Sequence, residues 1–195
     1  MIEVEKKFHI IPQQEKTLIS GAKFIKTVTN VDKYYDTGDF KLTTQDIWLR
    51  NRNGKFELKV PLNFSRKGLT DLYHEYTTDQ EIRKQLQILP QESLAEDLES
   101  NGYSLFATIQ TTRKKYKKEG FNIDIDSIDY GYELCEIELM VDTIEKTEQA
   151  EQKILEFAKS NGLQINPIRG KLLEYLRRHR SDHYAALKKA GFKNL

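Results

Sequence analysis

The chain has 195 residues, enough for one domain with a hydrophobic core of its own. Its 31 Lys and Arg residues are balanced by 30 Asp and Glu residues, which argues against a protein that coats nucleic acid. A single cysteine excludes an internal disulfide, the acidic start at Glu3 and Glu5 differs from a secretion signal, and no apolar run approaches the roughly 18 residues of a membrane span. We therefore expect one cytoplasmic domain over residues 1–195, with no membrane and no nucleic-acid partner.

The first part of the chain is predicted to consist mostly of strands. Residues 2–8 alternate between apolar and charged side chains with period two, which is typical of a half-buried strand. Pro12 ends this strand, and a short helix over residues 13–20 is expected to follow it. Another short strand, over residues 31–35, precedes a turn at residues 36–39.

The strongest local signal is a β-hairpin around Asn53-Gly54, which lies between two alternating segments, residues 47–52 and 55–60. A two-residue loop fixes the register and places three pairs on one face: Arg52 with Lys55, Arg50 with Glu57 and Trp48 with Lys59. The other face carries the apolar side chains Ile47, Leu49, Phe56, Leu58 and Val60.

The second part of the chain alternates between helical and strand patterns. Helices are predicted over residues 79–89, with Asp79 as N-cap, over 91–101, over 145–160, over 171–180 and from Asp182 to Ala190. Strands are predicted over residues 109–117, 121–126 and 132–141.

The predicted strands carry charge on one face and aliphatic side chains on the other. Each strand alone is also typical of an ordinary sheet whose charged face meets water. The helices, however, need an apolar surface to cover, and the aliphatic faces supply one. The charged faces would then turn inward, and about eight strands would form a small antiparallel barrel with room for one small ligand.

Both signs of charge are present on these faces, and most strands carry mainly one sign. The basic residues are Lys7, Arg50, Arg52, Lys59 and Arg113, and the acidic residues are Glu3, Glu5, Asp124, Asp126, Glu136 and Glu138. Arginine forks bind phosphate oxygens with two hydrogen bonds, and clustered carboxylates hold hard cations such as Mg²⁺ or Mn²⁺. This separation favours a polyanion that is bound together with a divalent metal.

A series of motifs resembles the CYTH family, the triphosphate tunnel metalloenzymes, over nearly the whole chain. The motifs are, in order, Glu3-Val4-Glu5-Lys6-Lys7, Lys33-Tyr34-Tyr35-Asp36-Thr37, Trp48-Leu49-Arg50-Asn51-Arg52, Glu57-Leu58-Lys59, Thr112-Arg113-Lys114, Asp124-Ile125-Asp126, Tyr130-Gly131-Tyr132, Glu136-Ile137-Glu138 and Lys171-Leu172-Leu173. The resemblance implies an α+β fold, an eight-stranded antiparallel β-barrel (a tunnel) with a charged interior flanked by helices. It also implies metal-dependent hydrolysis of a triphosphate.

The resemblance assigns roles residue by residue. The metal, Mg²⁺ or Mn²⁺, would be held by Glu3, Glu5, Asp124, Glu136 and Glu138. The triphosphate would be bound by Lys7, Trp48, Arg50, Arg52, Lys59, Arg113 and Lys171. Catalysis is expected to depend on Arg50, Arg52, Lys59 and Glu138, with Asp126 outside the metal ligands and Glu75 inside the tunnel.

Within the family the sequence is most similar to the thiamine triphosphatases. Trp48 shares a face with Arg50 and Arg52, so its ring could stack on a cationic heterocycle such as thiazolium, although a core position is equally compatible with this residue type. The alternatives are an inorganic triphosphatase, an adenylate cyclase and a non-catalytic binder of polyphosphate or nucleotides. We expect a monomer, and the general base stays open between a carboxylate, a lysine of lowered pKa and hydroxide on the metal.

Two further patterns are interpreted as surface features. His179 and His183 are spaced like a metal-binding pair on one helix, but the surrounding arginines favour a solvated face. The basic run from Lys114 to Lys118 is interpreted as a solvated rim rather than a nucleic-acid contact.

Overall fold

The computed structural model describes residues 2–61 and 73–192, and their eight strands form one antiparallel sheet. The strands are β1 (Ile2–Phe8), β2 (Lys23–Asp36), β3 (Trp48–Arg52), β4 (Lys55–Pro61), β5 (Tyr73–Tyr76), β6 (Ser104–Lys118), β7 (Phe121–Ile128) and β8 (Tyr132–Val141). Their order across the sheet is β1-β8-β7-β6-β2-β3-β4-β5.

The sheet is curled, so its two ends approach each other. Burial raises the pKa of Glu5 on β1, and the charge of Lys59 on β4 opposes that rise although five strands lie between them in the sheet. Within the described residues β1 and β5 are the two ends of the sheet, which gives a half-barrel with a concave inner face. The predicted α+β fold with an eight-stranded antiparallel sheet is confirmed.

Six α-helices and two short 3₁₀ turns accompany the strands in the described part of the chain. They are α1 (Pro12–Ile19), α2 (Asp79–Leu86), α3 (Leu94–Ser100), α4 (Thr147–Ser160), α5 (Lys171–His179) and α6 (Ser181–Lys189), with 3₁₀ turns at Thr43–Gln45 and Ile144–Lys146. None of the helices in the ranges described above is long and apolar enough to cross a lipid bilayer.

The helix starts differ from the prediction at two points. The N-cap of α2 is Thr78, not Asp79, because the Thr78 side chain accepts the backbone N–H of Glu81 and the Glu81 carboxylate accepts the backbone N–H of Thr78. At α6 the N-cap is Arg180, and Asp182 lies inside the first turn.

Two layers of helices cover the outer face of the sheet. The helices α1 and α4 pack on β1, β7 and β8, where Ile137 and Ile154 are fully buried. The helices α2 and α3 pack on β3 and β4 around Leu49 and Leu58. These two layers use the aliphatic faces that the sequence predicts for them.

The third helical layer lies on the opposite face. Leu172 and Leu176 of α5 pack with Ile109 and Leu134, and these two strand residues pair with Asp32 and Asp126 respectively. Residues that pair directly across antiparallel strands point to the same face, so α5 and α6 cover one end of the charged, concave face. The helices are all predicted on the outer surface, and this prediction is wrong for α5 and α6, which close one end of the half-barrel.

Candidate active site

The predicted hairpin register is confirmed, and it brings the basic residues of β3 and β4 onto the concave face. Arg52 pairs with Lys55, Arg50 with Glu57 and Trp48 with Lys59. The Asn53-Gly54 loop permits this register because both residues adopt positive φ, at 51° and 93°.

A group of three cations meets around one buried carboxylate, Asp32 on β2. Arg52 donates two hydrogen bonds to it, at 2.6 and 2.9 Å, and the Lys171 Nζ lies 2.5 Å from Oδ2. Arg50 Nε is 3.9 Å from Oδ1. We call Arg50, Arg52, Lys171 and Asp32 the cationic group.

The charges of this group compensate one another. Burial alone would raise the pKa of Asp32, but the hydrogen bonds from Arg52 and the charges of Lys171 and Arg50 hold it well below its usual value. Asp32 has no exposed surface at all. The carboxylate is therefore ionised at neutral pH and fixes the positions of cations from two different elements, β3 and α5.

Two more acidic residues extend the cationic group along β4 and β5. The Arg50 guanidinium contacts Glu57 at 2.6 Å and Glu75 at 3.5 Å, and Lys59 lies 3.9 Å from the same Glu75 oxygen. Glu75, expected inside the tunnel, thus lies beside two of the predicted phosphate ligands.

A second group consists of carboxylates and lies on β1, β7 and β8. Two sets of three carboxylates have oxygens within 4.8 Å of one another, and Glu138 belongs to both: Glu3, Glu5 and Glu138, and Asp124, Glu136 and Glu138. All five predicted metal ligands are therefore in this acidic group. Strand pairing produces it, because Glu138 lies opposite Glu5, and Glu136 lies opposite Asp124.

Arg113 lies within the acidic group rather than the cationic one. Its guanidinium donates to Asp124 at 2.8 Å, to both oxygens of Asp126 at 2.6 Å and to Glu136. Asp126 is thus occupied by Arg113 and is absent from both carboxylate sets. That Asp126 lies outside the metal ligands stays a prediction.

The acidic group is uncompensated at Glu138. Burial first, and then the neighbouring carboxylates Glu3 and Asp124, raise the pKa of Glu138 to about 8. Glu136 is also buried, but the charges of Arg113 and Lys7 lower its pKa to about 2. One cluster therefore holds a carboxylate that keeps its charge next to one that favours a proton.

These carboxylates fit a hard divalent cation. Asp124 Oδ1 is buried and has no hydrogen-bond partner among the described residues, an arrangement that costs free energy unless a ligand completes it. Carboxylate oxygens are the donors that Mg²⁺ and Mn²⁺ prefer, and a bound cation would offset the repulsion that raises the Glu138 pKa.

Lys7 on β1 and Trp48 on β3 have different surroundings. Lys7 donates to Glu5, and its side chain lies against Gly170, the residue before α5, where an added Cβ would be 3.6 Å from Lys7 Cε. The indole N–H of Trp48 donates to Asp46 at 2.9 Å, and the ring meets Phe192 edge to face.

Sequence analysis missed Asp32, and its interpretation of His183 is wrong. Asp32 lies in the predicted strand 31–35, but a lone acidic residue gives no sign that three cations converge on it. His183 is fully buried, not solvated: its Nε2 is 2.7 Å from Thr43 Oγ1 and its ring stacks on Phe40 at 4.0 Å. The arginines beside it in sequence are held by other groups: Arg177 and Arg178 donate to Glu174, and Arg180 donates to the backbone oxygen of Phe106.

The chain is similar in sequence to a known domain family and to characterised relatives. The model of the CYTH domain matches residues 1–166. The human thiamine-triphosphatase is 31% identical over 205 aligned positions, which cover 96% of this chain and 89% of that protein, and the thiamine-triphosphatase of Macaca fascicularis is 30% identical over the same share.

Solved structures of the same fold come from distant organisms. A protein of Pyrococcus horikoshii OT3 superposes with a TM-score of 0.66 at 22% identity, covering 91% of this chain and 99% of that one. A Hippeastrum protein, described as an adenylyl cyclase with a dominant triphosphatase activity, gives 0.60 at 18% identity over 91% of this chain and 94% of its own. At these identities the likeness shows the fold alone. The family match and the curated relatives together show that this chain belongs to the CYTH family.

Proposed function

We propose that this chain is a hydrolase of phosphoanhydride bonds that releases the terminal phosphate of a triphosphate, with thiamine triphosphate as its preferred substrate. One observation carries the proposal: a group of cations and a group of carboxylates lie on the same concave face. They are within electrostatic reach, since the charges of Lys7 and Lys171 act on Glu136. The two curated thiamine-triphosphatases support this reaction.

The cationic residues would bind the phosphate chain. Arg50 and Arg52 project from one strand two residues apart, so both guanidinium forks point to the same side. Lys171 comes from α5, at the closed end of the half-barrel. Lys59 and Lys7 extend the positive charge toward the acidic group. These residues come from separate elements and therefore surround a chain of phosphates rather than one anion.

The proposed metal ligands are Glu3, Glu5, Asp124, Glu136 and Glu138, with Mg²⁺ or Mn²⁺ as the ion. When bound, such an ion neutralises phosphate charge and polarises the bond to be broken. The carboxylates themselves fix the position of that charge. Arg113 ties Asp124 and Glu136 to Asp126, so the ligands from β7 and β8 keep one relative orientation.

Hydrolysis would proceed by in-line attack of a water oxygen on the terminal phosphorus. The new P–O bond forms as the bridging P–O bond breaks, the bond electrons stay with the diphosphate leaving group, and the water proton passes to a base that the geometry does not single out. Arg50, Arg52 and Lys59 would stabilise the charge on the equatorial and leaving oxygens.

Trp48 supports the choice of thiamine triphosphate over inorganic triphosphate. It pairs with Lys59 and so shares the concave face, and two hydrogen-bond acceptors, Asp46 and the hydroxyl of Tyr73, lie near its indole N–H at 2.9 and 3.4 Å. An aromatic ring held in this way can stack on a cationic heterocycle. Inorganic triphosphate has no ring, so it would gain nothing from this contact.

A single domain, a monomeric state and a cytoplasmic location complete the proposal as predictions. An inorganic triphosphatase is the second candidate, because the cationic and acidic groups would contact the phosphates and the metal in the same way for either substrate. A non-catalytic binder of polyphosphate or nucleotides is the third.

A substrate panel tests these alternatives. Phosphate release is measured with Mg²⁺ on thiamine triphosphate, tripolyphosphate and ATP, for the wild type and for Trp48→Ala. We expect the substitution to raise KM for thiamine triphosphate about tenfold and to change tripolyphosphate hydrolysis less than about twofold. Equal losses on both would assign Trp48 to structure, and no release from any substrate with retained binding would favour the non-catalytic binder.

A further inference from the structure

Four lysines lie together on the concave face, at the end opposite α5 and α6. They are Lys23 and Lys26 on β2 and Lys115 and Lys117 on β6, and we call them the lysine patch. Strand pairing sets Lys26 directly opposite Lys115 and Lys23 directly opposite Lys117. Like charges in directly opposed positions destabilise a sheet, so this arrangement calls for a functional explanation.

A β-bulge creates the patch. Residues three apart on a regular strand point to opposite faces, so Lys23 and Lys26 would normally be separated. The register of β2 shifts between Phe24 and Lys26, and the extra residue returns both lysines to the face of Lys115 and Lys117. Bulges of this kind redirect side chains at functional positions.

The basic run of β6, interpreted from the sequence as a solvated rim, is divided between the two faces of the sheet. On the outer face Lys114 lies 3.5 Å from Glu15, and Lys118 donates to the backbone of Leu18. On the inner face Lys115 donates to Asp124 of the acidic group. Within the parts of the chain that the structure describes, no acidic side chain pairs with Lys23, Lys26 or Lys117, and all three are exposed.

The patch adjoins the acidic group. Lys117 pairs with Asn122, which in turn pairs with Glu138, so two strand spacings, about 10 Å, separate Lys117 from the shared carboxylate. The other end of the concave face is closed by the apolar cluster around Ile109. Ile109 and Lys117 lie on the same strand, about 27 Å apart along it. Within the described residues, a phosphate chain that extends along this strand away from the apolar cluster runs toward the lysines.

From this we infer that the lysine patch is a second anion subsite that binds the additional phosphates of linear polyphosphates longer than three units. The inference rests on the proposed function and names a further substrate class for the same site. Linear polyphosphate fits because it continues the chemistry of the first three phosphates and needs no ring or base contact. Exposed lysines attract a flexible anion without fixing its register.

The test compares chain lengths in charge-reversed variants. Lys26→Glu combined with Lys117→Glu leaves the Lys115–Asp124 contact in place. Lys33→Glu combined with Lys114→Glu is the matched control, because both lysines lie on the outer faces of the same two strands. For each protein, kcat/KM and the dissociation constant are measured on tripolyphosphate and on longer linear polyphosphates.

We expect the inner-face variant to lose about tenfold or more in kcat/KM and in affinity for the longer chains, while both values for tripolyphosphate change less than about twofold. The outer-face control should change neither. Equal losses at both chain lengths, or none, would overturn the inference. The inference would also be overturned if an oligonucleotide bound the wild type as tightly as polyphosphate does and its binding were lost in the inner-face variant. That result would indicate a surface that binds any polyanion.

The binding measurement separates this inference from the proposed function. If the wild type hydrolyses no triphosphate, the proposed function fails. The subsite would still be supported if the wild type binds longer polyphosphates more tightly than tripolyphosphate and the Lys26→Glu, Lys117→Glu variant does not. If hydrolysis is normal and chain length has no effect on affinity, the proposed function stands and the subsite does not.

Discussion

The cationic and acidic groups solve the problem of buried charge in opposite ways. In the cationic group Asp32 is shared among Arg52, Lys171 and Arg50, so each charge has a partner within the protein. In the acidic group Asp124 Oδ1 has no partner in the part of the chain that the structure describes, and Glu138 favours a proton at neutral pH. The first group is preorganised by the chain itself, whereas the second is incomplete without a cation.

This difference indicates where the protein sacrifices stability for function. Buried charges that lack partners destabilise a fold, and they are retained mainly where a ligand completes them. The acidic group should therefore respond strongly to cations and protons, while the cationic group should respond to loss of its central carboxylate.

Turnover should suffer most when the acidic group is altered. Glu138→Gln should lower kcat about 1,000-fold, because it removes the carboxylate common to both metal sets, a loss similar to that of one strong transition-state contact. Its thermal stability should stay equal or rise, since repulsion among the carboxylates falls.

Arg50→Ala, in the cationic group, should also nearly abolish turnover, as measured by phosphate release. Wild-type rates in either variant would contradict the proposed roles.

In the cationic group, Asp32→Asn should lower the stability of the fold, whereas Glu138→Gln should not. The variant leaves Arg52 and Lys171 without their carboxylate, and removal of one partner from a buried ion pair costs about 3 kcal/mol or more of unfolding free energy. Urea unfolding of the variant and of Asp39→Asn, an exposed carboxylate on the loop after the same strand, measures the difference. If Asp32→Asn loses less unfolding free energy than Asp39→Asn, Asp32 does not organise the cationic group.

Divalent metal should stabilise the folded chain through the acidic group. At a free Mg²⁺ concentration about 100 times the dissociation constant, mass action adds about 2.7 kcal/mol to the unfolding free energy. Removal with a chelator should reverse the gain, and Glu138→Gln should reduce it sharply. A gain of the same size in that variant would place the metal elsewhere.

The two groups should give pH dependences of opposite sign in metal-free protein. The Glu138 pKa is about 8 in the folded chain and has its ordinary value of about 4.5 in the unfolded chain, so the folded state binds more protons between these two pH values. The unfolding free energy should therefore fall as pH rises through this window, by at most about 1.4 kcal/mol per pH unit. The Asp32 pKa is lowered, so its contribution is present above its ordinary pKa and is lost as pH falls below it. Unfolding curves with chelator should show the first slope, and Glu138→Gln should flatten it.

The local pattern of the sequence was sufficient to predict seven of the eight described strands, though β2 and β6 are longer than predicted and β5 was missed, and it also predicted the hairpin register. Period-two alternation fixes the face of a strand residue, and the Asn53-Gly54 loop fixes the pairing, so these two signals alone assign Arg50, Glu57 and Lys59 to one surface. The family motifs added the expectation that Glu5, Glu136 and Glu138 come together, and the sheet order brings them together.

The matching of those charges, by contrast, depends on contacts between distant segments. Asp32 became the centre of the cationic group because β2, β3 and α5 converge there, a meeting of segments as far apart as residues 32 and 171. The placement of α5 and α6 inside the half-barrel, the burial of His183 and the bulge that aligns Lys23 with Lys26 likewise come from the three-dimensional arrangement. Periodicity reports which way a side chain points along its own element, whereas its partners depend on how the elements curl around one another.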